Sequence, residues 1–386
     1  MTRNLLRATA YAGFLLAVVA VGSEVFLRFL LPAPQHYFIW PPNYRANFEP
    51  SEAATPGVSG TGRFIVNSLG IRSDEPLPDR ERTIYVLGGS TAADVYLDQD
   101  EAWAQLLQTK LNAVPGQPKT WVGNLSRSSL ATLHNLLIFE HLMPSLPRPD
   151  LIINLVGVND LQIALKSSYL KDMGLDTHMR WTFSEMPSNG PWWERVATVR
   201  FYRRIADWLS RSKVGKVQTF NADGFITWRA CRQKVPAERL VGDLPDLAPA
   251  LNTYRENLHR ITDRAAAYGA HVLFVTQPTI WADPMAPEDA AVLLAGGVGP
   301  NNVWCDEQRY YSPKALAEGM VRFNAVLLEV CAERKLTCLD LAAKMPKSRR
   351  YFYDDMHFNE AGARFVSDAV SEAVRTLAPA RAGSAK

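Results

Sequence analysis

Four side chains in this sequence have the chemistry for acyl transfer, and they stand in three short, widely separated blocks. Ser90 lies in Gly88-Gly89-Ser90-Thr91, directly after the apolar run TIYVL, residues 83–87. The two glycines allow a tight turn and leave the hydroxyl uncrowded, as a nucleophile needs. A glycine turn capped by Ser/Thr is also an ordinary strand-to-helix connector. Asn159 lies in Gly157-Val158-Asn159-Asp160, after LIINLV, residues 151–156. Its amide suits a developing oxyanion, although Asn159 or Asp160 can equally cap the following helix. The third block is Tyr353-Asp354-Asp355-Met356-His357-Phe358-Asn359. At a spacing of three in a tight loop, the Asp354 carboxylate can fold back to the His357 Nδ1–H and hold the tautomer a general base requires. Asn359 reads as the N-cap of the last helix. The sequence has no GxxxxGK[ST] phosphate loop and no GxSxG elbow. No Cys/His cluster has metal-ligand spacing, so no metal or other cofactor is expected.

The elements that must position these blocks alternate between strand and helix from Thr83 onwards. TIYVL, TWVGNL, LIINLV, HVLFVT and LTCLDL are β-rich apolar runs. Between and beyond them, EAWAQLLQTKLNAV, ATLHNLLIFEHLM, NTYRENLHRITDRAAAYG and KALAEGMVRFNAVLLEVCAERK have helical apolar spacing, and a final helix is expected from near Asn359 to about Leu377. This alternation predicts an α/β fold, a three-layer α/β/α sandwich around a mainly parallel sheet. Sheets of that kind present ligands beyond the C-terminal ends of their strands.

In order and separation the blocks resemble the SGNH/GDSL hydrolase family, over roughly residues 83–165 and 250–377. That family has a Ser after its first strand, a backbone donor after the second, G-x-N-D after the third and D-x-x-H before the last helix. Here GVND and DDMHFNEAG are intact, and Ser90 stands in GGST where GDS is frequent, as in the family's membrane-anchored bacterial branch. In NLSRSSLAT, Ser129 occupies the position usually filled by glycine. The resemblance implies a flavodoxin-like sandwich and a serine ester hydrolase. Ser90 would be the nucleophile, His357 its base and Asp354 the orienting carboxylate. The Ser90 N–H, the Ser129 N–H and the Asn159 amide would form the oxyanion hole. Asp355 is the rival carboxylate, but its separation of two from His357 does not match the family, and it is expected as a structural or substrate-contacting neighbour.

Composition bounds the partners. The chain has 386 residues, and 42 Lys+Arg against 39 Asp+Glu leave a formal charge of +3. Nucleic-acid binding needs concentrated positive charge, so no nucleic-acid partner is expected. At 47% hydrophobic and 21% charged residues, the chain can build a core and is not disordered.

Arg3 and Arg7 precede the uncharged run at residues 8–23, and apolar sequence continues past Glu24 and Arg28 to Pro32. A helix from about Leu5 to Leu31 is long enough to cross a membrane with some tilt. Glu24 and Arg28, four apart, share a face on it. Basic residues before the run predict a cytoplasmic N-terminus, with the catalytic body on the periplasmic side of a bacterial inner membrane. The alternative is a cleaved signal peptide, with small residues at Ala20-Val21-Gly22.

The expected organisation is therefore an anchor or signal segment at 1–32, a loop-rich neck at 33–78, and a hydrolase-like domain at 79–380 with an insertion at about 167–250. In the neck, Tyr37, Trp40 and Tyr44 either sit at a membrane interface or pack on the body. In the insertion, Val196, Val199, Ile205, Trp208 and Leu209 form a helical stripe beside Arg200, Arg203, Arg204 and Arg211. This reads as a lid helix with a solvated basic side, or as a membrane-surface or anionic-glycan contact. The four cysteines allow two bridges, Cys331–Cys338 and Cys231–Cys305, although spacing does not define pairing. Cys331 can also be read as a small buried hydrophobe.

Three functions follow. The leading one is an exported, membrane-anchored esterase that removes acyl groups, acetyl foremost, from a cell-envelope glycan or lipid, a substrate class the resemblance implies. The second is an O-acyltransferase with the same residues. The third is a catalytically silent glycan-binding assembly subunit.

Overall fold

Strands buried on both faces read as unbroken apolar runs, and the central sheet is made of such runs. The structure is a computed structural model and describes residues 2–30, 36–166, 174–187, 196–199, 201, 202, 205, 217–299 and 308–377. Its strands in chain order are β1 (Arg45–Glu49), β2 (Gly62–Ile65), β3 (Arg82–Gly88), β4 (Thr120–Asn124), β5 (Leu151–Val156), β6 (Gln218–Asn221), β7 (Leu240–Val241), β8 (His271–Thr276), β9 (Tyr310–Tyr311) and β10 (Cys338–Leu339). Five of them form a parallel sheet in the order β10-β8-β5-β3-β4. Every residue of β5 is buried. Helix Trp103–Asn112 packs with helix Glu360–Thr376, while helices Ala248–Ala267 and Pro313–Arg334 pack together with Thr132–Leu137 and Val158–Leu165. The sheet thus lies between two helical layers, as the alternation predicts.

The ends of the helices follow local chemistry. Asn359 caps the final helix by accepting the Gly362 N–H at 3.0 Å, and Ser312 caps the long one by accepting from Ala315 N at 3.1 Å. That long helix is joined to β10 by the Cys331–Cys338 disulfide, with a Cα–Cα distance of 6.2 Å. Cys231 is also disulfide-bonded. The expected pairing with Cys305 lies outside the described residues, because 300–307 are not among them.

The sequence predicts a neck at residues 33–78, but from Phe38 onwards the chain is built into the body. β1 and β2 pair antiparallel, with β6 completing a three-stranded sheet. In β2 the period-two alternation buries Gly62 and Phe64 and turns Arg63 outward, where it meets Asp98 at 2.6 Å. Ala46, Phe64 and Val66 form a small core under Trp40, Tyr44 and Phe48. Trp40 also donates to Ser126 O at 3.2 Å. The frequent proline, glycine and serine of this stretch hid two strands of five and four residues.

The chain divides into two compact units, one formed by Met1–Tyr37 with Glu185–Gln218 and the other by Phe38–Ser184 with Thr219–Lys386. In the first, helix α1 (Thr2–Leu30) contains a 24-residue apolar stretch, Arg7–Leu30, with an 18-residue window of mean hydropathy 1.9 that is not buried. It is long and apolar enough to cross a membrane, a test that signal sequences also pass. Glu24 pairs with Arg28 at 2.8 Å and accepts the N–H groups of Ala197 and Thr198 at 2.8 and 3.0 Å. Of the expected arginine-rich lid helix, Arg200, Arg203, Arg204, Trp208, Leu209 and Arg211 lie outside the described residues.

Candidate active site

Ser90 opens a short helix, α2 (Ser90–Ala93), directly where β3 ends. The first N–H groups of a helix have no intrahelical acceptor, so the Ser90 N–H is available where the strand meets the helix. Gly89 is required here because a Cβ on it would collide with the Asn159 amide. The Ser90 Oγ lies 2.7 Å from His357 Nε2. On the other side of the imidazole, Nδ1 lies 2.7 Å from Asp354 Oδ2. Asp354 Oδ1 accepts the N–H groups of Met356 and His357, both at 2.9 Å. A carboxylate only accepts, so His357 Nδ1 carries the proton and Nε2 is left to accept from the serine.

The electrostatics favour that arrangement. Burial pushes the His357 pKa down, but the carboxylates of Asp354, Asp355 and Asp94 outweigh it and hold the imidazole above its usual value. The Tyr353 ring stacks on the imidazole, with centroids 5.4 Å apart and planes 8° from parallel. Asp355 faces away from His357. Its Oδ1 accepts from Trp281 Nε1 at 2.7 Å, and its Oδ2 accepts from Leu294 N and Ala295 N at 2.7 and 2.9 Å. It ties residues 281–295 to the loop, which is a structural task, and burial with Asp354 alongside raises its pKa.

The GVND block begins helix α3 (Val158–Leu165) with Gly157 at φ 123°. A Cβ there would sit 2.9 Å from Met320 Cε in a conformation that L-residues avoid. Asn159 Nδ2 donates to Leu130 O at 2.9 Å, which orients its amide and leaves a second N–H free by stoichiometry. Asp160 accepts from Thr132 Oγ1 at 2.6 Å, and burial pushes its pKa up to about 6. The block therefore fastens the turn that holds Ser129. That residue has φ 67°, a left-handed conformation that favours glycine, and its N–H has no hydrogen-bond partner among the described residues. Ser90, Ser129, Asn159, Asp354 and His357 all border one cavity of about 770 Å³.

Other residues of the site gave no signal in the sequence. Arg72 is 3% exposed and donates to Asp94 O at 2.7 Å, to Leu97 O at 2.8 Å and to Ala93 O. Its Nε donates to Gln99 Oε1 at 3.2 Å, and burial pushes its pKa down to about 10. It clamps the chain that leaves the Ser90 helix. Asp94 ends that helix at φ 47° and accepts Trp103 N at 3.0 Å; burial pushes its carboxyl up to about 7. A charged residue in a loop-rich stretch reads as solvated, so nothing local marked Arg72. One wall of the cavity is a chain of aromatic contacts: Phe48 to Tyr96 at 5.3 Å, Tyr96 to Phe225 at 5.4 Å and Phe225 to Trp228 at 5.8 Å. Phe225 and Trp228 belong to helix Asp223–Gln233 of the insertion. From that helix Arg229 donates to Ala54 O and Tyr353 O at 3.0 and 3.1 Å. Among the described residues, no group of three or more His, Cys, Asp or Glu is placed to hold a metal ion.

The family model of the GDSL-like lipase/acylhydrolase family matches residues 86–365. Among solved structures, TesA aligns with TM-score 0.40 and 15% identity, covering 76% of this chain and 98% of that one. A catalytic mutant of Axe2, an acetylxylan esterase from Geobacillus stearothermophilus, aligns with TM-score 0.43 and 10% identity, covering 78% and 98%. A lipolytic protein of the G-D-S-L family from Veillonella parvula aligns with TM-score 0.41 and 10% identity, covering 77% and 100%. No curated protein matches the sequence.

Proposed function

The chain belongs to the GDSL-like lipase/acylhydrolase family and is a carboxylic ester hydrolase; from that premise we propose that Ser90, His357 and Asp354 are its catalytic residues and that it removes O-acyl groups, acetyl foremost, from a glycan or lipid of the cell envelope. The observation that carries the assignment is the continuous chain from Ser90 Oγ to His357 to Asp354, 2.7 Å at each link. Ser90 Oγ attacks the ester carbonyl and its proton passes to His357 Nε2. The tetrahedral oxyanion is held by the Ser90 and Ser129 N–H groups and the Asn159 amide. His357 then protonates the departing alcohol oxygen, leaving an acyl-serine. Water attacks that ester, giving its proton to His357, which hands it to Ser90 Oγ as the acyl–Oγ bond breaks and the acid departs. Asp354 holds the imidazole in the required tautomer and stabilises its charged form. Each oxyanion donor is worth roughly a hundred- to thousandfold in rate.

The exported, membrane-anchored location is part of the same proposal. It is supported by the length and hydropathy of Arg7–Leu30, by the preceding Arg3 and Arg7, and by the Cys331–Cys338 disulfide, a bond that persists in oxidising compartments. The catalytic body would face the periplasm. The aromatic wall beside Ser90 suits the apolar faces of sugar rings or an acyl chain.

The test is labelling of the detergent-solubilised chain with a fluorophosphonate, comparing wild type with Ser90→Ala. Labelling that disappears in the variant is the expected result, and equal labelling refutes the nucleophile. Acetate release from acetylated polysaccharide, with and without an acceptor sugar, then separates hydrolysis from acyl transfer to the acceptor.

A further inference from the structure

The helix that presents Asn159 at its start carries at its other end a charge that the catalytic scheme does not use. Asn159, Gln162 and Lys166 are spaced i, i+3 and i+7 along α3 and its C-cap, a spacing that keeps side chains on one helix face. All three border the catalytic cavity. At 1.5 Å of rise per residue, Lys166 stands about 10 Å along the axis from Asn159.

Among the described residues, the charged groups lining the cavity are Asp354, His357 and Lys166. The first two are committed to each other, and Asp354 also to two backbone N–H groups. The Lys166 backbone N–H closes the helix on Gln162 O at 3.1 Å, but its ammonium has neither a carboxylate partner nor a hydrogen bond among the described residues. It is half-buried, and burial pushes its ammonium pKa below the usual lysine value. A lysine at a helix C-terminus gains from the helix dipole at any exposed position. Sinking it into a cavity adds a desolvation penalty that only an arriving counter-charge offsets.

We propose that Lys166 is an anion subsite of this cavity, and that the acylated substrate is a glycan carrying a carboxylate or phosphate on a sugar neighbouring the one that bears the ester. The separation from Asn159 puts this charge beyond the reacting carbonyl, so it reads the substrate's backbone and not its acyl group. The substrate half of the inference rests on the glycan-esterase reading above; the anion subsite itself does not.

The test uses the full chain in detergent, as wild type, Lys166→Gln and Lys166→Arg. The substrates are an acetylated oligogalacturonate, an acetylated phosphorylated oligosaccharide and a neutral acetylated xylo-oligosaccharide. Lys166→Gln is expected to lower kcat/KM about tenfold on whichever anionic substrate is natural, mainly through KM, and less than twofold on the neutral one. Lys166→Arg should retain most of the wild-type value, and the difference should shrink as salt is raised. Equal losses on neutral and anionic substrates, or no loss on either anionic one, overturn the proposal. A second readout does not need turnover: binding of the deacetylated oligogalacturonate and phosphorylated oligosaccharide to Ser90→Ala, with and without Lys166→Gln. Weaker binding of an anionic ligand in the double variant supports the subsite, and identical or undetectable binding of both refutes it. An enzyme inert on every ester that still shows this loss of binding refutes the esterase reading and leaves the subsite standing.

Discussion

The loop Tyr353–Asn359 and the stretch at residues 38–78 are both poor in regular structure, and both act on Ser90, but they hold their geometry in opposite ways. In the loop, Asp354 is bound to amides two and three residues on and to the imidazole of His357. Its shape is written in its own spacing. In the other stretch, Arg72 reaches carbonyl oxygens 21, 22 and 25 residues away, and Phe64 is covered by Trp40, Tyr44 and Phe48. Its shape exists only once the body has folded beneath it. In the proposed mechanism the loop supplies the proton chemistry, whereas the distant stretch holds the support on which Ser90 stands. A site can thus be locally encoded in its reacting groups and globally encoded in its rigidity.

The largest effect expected separates the two carboxylates within the loop. Asp354→Asn should lower kcat on a neutral ester by about 10⁴-fold through loss of the tautomer. Asp355→Asn should leave kcat within about tenfold and act mainly on stability, since it unbalances a buried set of hydrogen bonds. The proposed proton transfer requires His357 to be neutral. Its raised pKa puts the acid limb of kcat/KM above the ordinary histidine value, and the residual activity of Asp354→Asn should show that limb at lower pH. An unmoved limb, or equal kcat losses in the two variants, would erase the distinction.

A smaller effect tests the distant stretch. Arg72→Met leaves the Ala93 and Leu97 carbonyl oxygens without their donor, at about 1–3 kcal/mol each where no water replaces it, while Asp94 O keeps the Leu97 N–H. A total near 3 kcal/mol lowers Tm by about 6–12 °C. Since the same contacts steady the Ser90 helix, kcat should fall with little change in KM. A melting curve like that of the wild type would show that the stretch merely covers the body.

The smallest effect lies between the two regions, at Ser129. Its φ of 67° costs a non-glycine residue about 1 kcal/mol, so Ser129→Gly should raise Tm by about 2–4 °C. Because the donor proposed here is a backbone N–H, kcat should stay within about twofold. A hundredfold loss would point instead to the serine hydroxyl.

Legibility in the sequence followed the range of the contacts. The strands of the central sheet stood out because burial on both faces demands unbroken apolar runs. Ser90, Asn159, Asp354 and His357 stood out because they follow strand ends or lie at a spacing that forces them together. The four-residue strand around Phe64 was hidden in proline- and glycine-rich text, and Arg72 looked like any solvated arginine. The aromatic wall was equally unreadable, since Phe48, Tyr96 and Phe225 come from three distant segments that meet only in the folded chain.

By itself the sequence determined the alternating architecture, the apolar N-terminal helix and the order of the reacting groups, because each depends on composition or on neighbours a few residues away. Only the tertiary structure decided that Asp355 turns to Trp281, that residues from Phe38 onwards belong to the body, and that Lys166 shares a cavity with Ser90. Those outcomes depend on partners tens to hundreds of residues apart, and spacing along a chain carries no record of which distant surface a side chain will face.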